Sequence, residues 1–177
     1  STIIAVLSSY PQAGKTVYAS NLALSISKEA HKRVIIVDIC RHDKCHRMPR
    51  LLKTRRDYRS MNLSRRMPAG ADVADFISRD TSGIDIIYLT YTEKDDSWPR
   101  AVVDILSFLV NDYHFIVIDL PSRKEKTILS ILNQADIIHI LTSPKQAHLV
   151  STRRLIKRLE VDFAVRALPS APPGFAL

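Results

Sequence analysis

The sequence predicts an α/β protein with a mainly parallel central sheet covered by helices on both faces. Three observations carry this. First, apolar runs of about five residues recur along the chain, at Ile3-Ile4-Ala5-Val6-Leu7, Val34-Ile35-Ile36-Val37, Ile84 to Leu89, Phe115-Ile116-Val117-Ile118 and Ile137-Ile138-His139-Ile140-Leu141. Strands that are apolar on both faces belong to a sheet buried on both sides. Second, stretches of helical periodicity separate these runs, as the crossovers of a parallel sheet require. Third, Gly14-Lys15-Thr16 and the acids Asp38 and Asp119 fall at the carboxyl ends of the strands. Ligands of open α/β sheets bind at those ends.

Taken in order, Ile3–Leu7 is the first strand, and Val17 to Ala30 reads as the first helix. Val34–Asp38 is the second strand. Met48 to Lys53 reads as one helical turn or two, and Ala71 to Ser78 as a short helix. Ser82-Gly83 opens the third strand, Ile84 to Leu89. Ser97-Trp98-Pro99 starts a helix that runs to about Asn111, with Ser as the cap and Pro tolerated in the first turn. Phe115–Asp119 is the fourth strand, stopped by Pro121. Ile128 to Gln134 reads as helix, 137–141 as the fifth strand, and Lys145 to Leu159 as a helix with a basic face. Phe163-Ala164-Val165 reads as a sixth strand, and Pro169 to Gly174 as irregular. This gives one domain over 1–168 and an irregular tail over 169–177.

With 177 residues, 46% of them hydrophobic, the chain buries one sizeable core. None of its apolar runs approaches the roughly 20 residues that span a bilayer. The N-terminus enters a strand directly, so no signal peptide is expected. Two cysteines, Cys40 and Cys45, do not make a disulfide framework, and a cytoplasmic location is expected. Cys40-x-His42-x-x-Cys45-His46 has zinc-ligand residue types, but its spacing matches no closed site.

Charge is concentrated in one place. Arg41 to Arg66 holds ten Lys or Arg against Asp43 and Asp57, a local excess of +8 equal to that of the whole chain. Such density favours an anionic partner, DNA or an acidic membrane, with a peripheral location at membrane or nucleoid. Tyr58 is the one aromatic residue there, so contacts to phosphate or lipid headgroups are expected rather than base stacking. A solvated basic surface is the plainer reading.

The stretch Ser9-Tyr10-Pro11-Gln12-Ala13-Gly14-Lys15-Thr16, between a strand and a helix, has the context of a Walker A phosphate loop. Backbone N–H groups at a helix start capture anions, and Lys adds charge. Ala13, Gly14, Lys15, Thr16 and Val17 are the candidate nucleotide-binding residues. Thr16, Asp38 and Asp119 are the candidate Mg²⁺ residues. The full pattern has Gly where this chain has Ser9. An ordinary strand-to-helix turn that happens to contain Gly-Lys-Thr is the alternative.

The order of four blocks resembles the ParA/MinD family of P-loop ATPases: the loop at 8–16, Val34–Asp38, Ile116 to Pro121 with its Asp-x-Pro ending, and Ala135 to Pro144 with the helix after it. The resemblance covers about 2–160. It implies a three-layer P-loop NTPase fold, ATP or ADP with Mg²⁺, and a homodimer with a protein partner. The family's loop reads Lys-Gly-Gly-x-Gly-Lys-Thr, and its first Lys reaches the phosphates of the partner subunit. Here that Lys falls on Tyr10, and the two Gly fall on Pro11 and Gln12. The family's second-strand motif continues Asp-x-Asp, and its second Asp, which helps place the attacking water, falls on Cys40. The resemblance thus implies surviving binding parts and degraded hydrolysis parts. Such erosion resembles the TadZ/CpaE-like branch, which serves in localisation and pilus assembly. The family also carries an Asn-Arg element past its sixth strand that reads adenine, and the chain reaches Leu177 without one. Two rival readings remain. One is a P-loop fold without nucleotide that binds a polyanion or a protein. The other is a carboxylate-activating enzyme related to dethiobiotin synthetase, which would need a second polar pocket.

Overall fold

The apolar runs become strands because β-branched residues dominate them, with Asp85 and His139 the polar exceptions. In the computed structural model, which describes residues 1–42, 48, 59–64, 73–93, 95–122 and 125–167, they form five adjacent strands of one seven-stranded sheet. The strands are β1 (Thr2–Ser8), β2 (Val34–Arg41), β3 (Ser60–Asn62), β4 (Ile77–Arg79), β5 (Asp85–Tyr91), β6 (Phe115–Asp119) and β7 (Ile137–Leu141). Their order is β3-β5-β2-β6-β1-β7, and β4 also pairs with β5. All pairings are parallel except β4–β5. The expected mainly parallel sheet is therefore present.

Among the described residues four helices cover it: α1 (Lys15–Ala30), α2 (Trp98–Leu109), α3 (Glu125–Leu132) and α4 (Gln146–Ala167). One face carries the larger core, in which Ile35, Val37, Ile116 and Ile118 meet Trp98, Val102, Ile105 and Leu155. The other face packs Val6, Ile36, Ile86 and Val117 against Ala19 and Ala23 of α1 and against Met48. Ala19 and Ala23 are small and fully buried, which lets α1 lie close over the sheet. Each fully buried Ile, Leu or Val contributes about 1.5–3 kcal/mol.

Two expectations are corrected. The Ala71–Ser78 helix ends earlier than expected: among its described residues 73–74 are helical, and Ile77–Arg79 is β4. β4 and β5 form a hairpin. Asp80-Thr81-Ser82-Gly83 makes the turn, with Gly83 at φ 86°, where a Cβ would be strained. The Gly83 N–H donates to the Asp80 carbonyl, and the Asp80 carboxylate takes the Ser82 N–H and hydroxyl. The second correction is Phe163–Val165, which is the last part of α4 rather than a sixth strand. Leu155, Leu159 and Phe163 recur every four residues and keep the helix on the larger core. The Met48–Lys53 turn and the tail 169–177 lie outside the described residues, apart from a helical Met48.

The hairpin is tied down by Asp85, buried at the start of β5. Arg79 grips its carboxylate with Nε at 2.8 Å and Nη2 at 3.2 Å, and the Tyr113 hydroxyl donates to it at 2.9 Å. Burial, then the neighbouring Asp85, push the Tyr113 phenol well above its ordinary range. Asp85→Ala leaves Tyr113 without its acceptor and is expected to cost about 1–3 kcal/mol. In a domain of this size that lowers Tm by about 2–4 °C per kcal/mol, read by thermal unfolding.

Candidate phosphate-binding site

The chain runs from β1 to β2 on one side of the sheet and later places β7 on the opposite side of β1. The crevice at this reversal lies beyond the carboxyl ends of β1 and its neighbours, where such sheets hold ligands. Parallel register sets Asp38 of β2 opposite Asp119 of β6, and Asp119 opposite Val6 of β1. The phosphate-loop segment joins β1 to α1 at this point.

Three of the candidate residues converge. The Thr16 hydroxyl donates to Asp119 Oδ2 at 2.6 Å. The Lys15 ammonium donates to the Ser8 hydroxyl at 3.2 Å and to the Ser122 hydroxyl at 2.8 Å. Ser122 follows the Asp119-Leu120-Pro121 ending, so Lys15 and the end of β6 share one small volume. Asp38 is the paired acid beside them. Both carboxylates are about 5–6% exposed, and burial, then the neighbouring Asp119, push Asp38 well above the usual carboxylate range. The donor set is all oxygen, as a hard divalent cation prefers. A cation near these acids would offset the repulsion that raises Asp38, so the residues fit Mg²⁺.

Gly14 caps α1 at φ 82° with no side-chain hydrogen bond to the helix start. A Cβ there would meet nothing within 4 Å, so the requirement for Gly is the left-handed backbone and not space. Position 12 is left-handed too: Gln12 has φ 61°. A residue with a Cβ in this region costs about 1–2 kcal/mol. Ala13 is half-buried in the loop, and Val17 is 48% exposed in the first turn of α1.

No sequence motif points to what holds the loop from outside. Tyr10 stacks on His148 of α4, with ring centroids 3.7 Å apart and planes 13° from parallel. His148 Nδ1 and the Ser143 hydroxyl share a hydrogen bond of 2.7 Å. Beside this, the Ser9 and Thr152 hydroxyls are 3.1 Å apart, and Thr152 donates to Thr142 at 3.0 Å. The Tyr10 carbonyl accepts from Ser8 at 2.6 Å and from Ser122 at 3.3 Å. Tyr10 thus faces α4. An aromatic pair contributes about 0.5–1.5 kcal/mol. If phosphate entry requires this stack to open, Tyr10→Ala and His148→Ala are each expected to tighten nucleotide binding by about two- to tenfold. Titration of both variants checks this, and unchanged affinity would mean that the stack stays closed.

Other expected features stand differently. Asp136, in the block Ala135 to Pro144, braces the sheet: its carboxylate accepts the Ile3 N–H at 2.8 Å, and its own N–H donates to the Ile3 carbonyl at 2.9 Å. Cys40 is half-buried and disulfide-bonded. Among the described residues no three His, Cys, Asp or Glu are grouped to hold a metal ion, and no helix is long and apolar enough to cross a membrane. Of the basic segment Arg41–Arg66, only 41–42, 48 and 59–64 are described, so most of its charge lies outside the described residues.

No protein family matches the sequence, and no curated protein sequence is similar to it. Its three-dimensional structure is similar to those of several solved proteins. The MinC:MinD cell division protein complex of Aquifex aeolicus aligns with TM-score 0.71 and 20% identity, over 92% of this chain and 65% of that one. A ParA family ATPase from Chlorobium tepidum TLS aligns at 0.69 and 19%, over 90% and 68%. The septum site-determining protein MinD of Pyrococcus horikoshii OT3, complexed with Mg-ADP, aligns at 0.64 and 18%, over 91% and 65%. The fold is that of the P-loop NTPases. At these identities the likeness is one of fold, and the chain spans about two-thirds of the length of each of these proteins.

Proposed function

We propose that this chain is a ParA/MinD-like nucleotide-binding protein that takes ATP or ADP with Mg²⁺ at residues 13–17. The observation that carries the reading is the convergence of Lys15, Thr16 and Asp119 at the sheet reversal, with Gly14 leaving the α1 N-terminus open to an anion. Lys15 and the backbone N–H groups of Ala13 to Val17 would hold phosphate oxygens. Thr16 would hold Mg²⁺ directly, Asp119 through water, and Asp38 would stand in its outer shell. The metal supplies charge neutralisation at the phosphates. The Mg-ADP of the Pyrococcus MinD structure supports this ligand class.

The finer reading is a slow or inactive ATPase with a degenerate loop. It works as a homodimeric localisation or assembly scaffold of the TadZ/CpaE type and engages a protein partner of a pilus-assembly machine. Tyr10 at the signature Lys position and Cys40 at the second Asp position support it. Mg-dependent nucleotide binding that Lys15→Ala removes is the test.

A second reading is favoured by one observation. The loop's polar groups are already met from within, by Ser8, Ser122 and the contacts to α4. On this reading the loop holds no nucleotide, and the chain is a platform that binds DNA or acidic membrane through 41–66. Binding would then ignore nucleotide and fall steeply with salt. With half of the ten cations engaged, log K against log salt would have a slope of about −4 to −5 on duplex DNA.

A further inference from the structure

The two edges of the sheet differ. β3 and β4 share one edge beside β5 and are three residues long each. β7, at the other, is the apolar run Ile137-Ile138-His139-Ile140-Leu141, and among the described residues it pairs with β1 alone. An open edge is commonly blunted by Lys, Pro, a bulge or shortness, and β7 has no such device. The Asp136 N–H donates to the Ile3 carbonyl of β1. Backbone groups alternate along a strand, so Ile138 and Ile140 also turn theirs to β1, while Ile137, His139 and Leu141 turn theirs outward. Exposed apolar surface gathers round this edge. On one face Tyr18 of α1 shares a hydrogen bond of 3.0 Å with His139 Nδ1. On the other face α4 runs back from the carboxyl end of β7 with Thr152, Leu155 and Leu159 buried. At 100° per residue Leu149, Arg153, Ile156 and Glu160 form the next stripe, and the right-handed turn of the helix sets it toward the open side of β7. All four are exposed. Tyr18, Ile137, Leu149 and Ile156 are four of the seven large exposed hydrophobics among the described residues.

A second copy of the chain satisfies these features together. Set antiparallel across a two-fold axis at His139, Ile137 lies opposite Leu141 of the second copy, and His139 opposite its own equivalent. Each such pair exchanges both backbone hydrogen bonds. The stripe on α4 is self-complementary about the same axis: two antiparallel copies bring Arg153 against Glu160, with Ile156 against Ile156 between them. The two centres nearly coincide. Thr152 of α4 is level with Thr142, their hydroxyls 3.0 Å apart. From there the middle of the stripe is about 7 Å along the helix and His139 about 10 Å along the strand. An unrelated strand would complete the ladder but would not supply the reversed order of charges. We propose that two copies pair β7 with β7 about a two-fold axis at His139, so that one sheet runs through both chains. This surface is at the side of the sheet and not at the crevice beyond its carboxyl ends, so the pairing holds whether or not the loop takes nucleotide.

Sedimentation equilibrium of the chain over a range of concentrations, with and without Mg-ATP, tests this. The expected result is a reversible dimer whose dissociation constant is the same in both conditions. His139→Pro keeps the bonds to β1, because the N–H it removes points outward, but it blocks the ladder at the axis. It should be monomeric wherever the wild-type chain is dimeric. Ile137→Lys, which places a charge on the edge, should do the same. Arg153→Glu sets like charges together twice across the axis and should weaken the dimer by about tenfold. Arg153→Glu combined with Glu160→Arg should restore it. Thermal unfolding confirms that each variant folds. A chain that is monomeric at every concentration overturns the proposal. So does a dimer that forms only with Mg-ATP, one that survives both strand variants, or one that the double charge swap fails to restore.

Discussion

Asp38→Asn is expected to make this protein more stable at neutral pH, although it alters a buried residue in the middle of the sheet. Asp38 is buried and stands opposite Asp119, and both effects disfavour its charge. Its pKa is therefore higher in the folded chain than in the unfolded one, where it is about 3.9. Below that value the residue is neutral in both states and carries no penalty. As pH rises from there toward the raised folded value, the unfolded state releases a proton that the folded state retains, and stability falls. Asn is nearly isosteric and removes this slope. Thermal unfolding between pH 4 and pH 8 (about the window in which carboxylates with raised pKa titrate) should show wild type losing stability and the variant changing little from this source. Each kcal/mol recovered is worth about 2–4 °C in Tm. Mg²⁺ with nucleotide should reverse the order, because a cation at the site converts the acid pair from a liability into a ligand set. A variant that is less stable than wild type throughout would contradict the role given to Asp38.

Hydrolysis is expected to be at least about a thousandfold below that of a family member with an intact loop, because cations placed on the transferring phosphoryl group account for 10³–10⁵ in rate. Tyr10 brings no charge and is turned toward His148. Cys40, which on the proposed reading stands where a carboxylate would help place water, is disulfide-bonded. Tyr10→Lys alone should restore little. Pro11 removes a backbone N–H from the loop, and Gln12 holds a strained left-handed backbone. Phosphate release under single-turnover conditions checks both statements, and robust turnover by the wild-type chain would contradict the first.

The parts of the fold legible in the sequence were those built from continuous apolar runs. β1, β2, β5 and β6 could be read within a residue or two at most ends, because a strand buried on both faces needs no partner to be recognised, and β7 could be read from its apolar run although it is half-exposed at the sheet edge. β4 was not legible as a strand. It is three residues long and half-exposed, and its identity comes from the Asp80–Gly83 turn that folds it back on β5. The Ser82-Gly83 signal was visible, but it was read as opening one strand instead of joining two. Phe163–Val165 has β-branched and aromatic character, yet the four-residue spacing from Leu155 through Leu159 outweighs it. In the candidate site, Lys15, Thr16, Asp38 and Asp119 could be placed because each sits at a strand end. Tyr10 and His148 could not be paired, since their contact depends on α4 starting beside β7, next to β1 in the sheet. Ser122 was nearer to hand, as the first hydroxyl after the Asp-x-Pro ending.

The measurement that most directly tests nucleotide binding at this loop is calorimetric titration of wild type and Lys15→Ala with ATP and ADP in the presence and absence of Mg²⁺. Hydrogen bonds to charged groups contribute about 1.5–3 kcal/mol, so removing the Lys15 ammonium should weaken binding by roughly 10- to 150-fold. The expected result is one nucleotide per chain, tighter with Mg²⁺, and a loss of that order in Lys15→Ala. No heat from wild type with either nucleotide, or equal affinities in the two proteins, would contradict it.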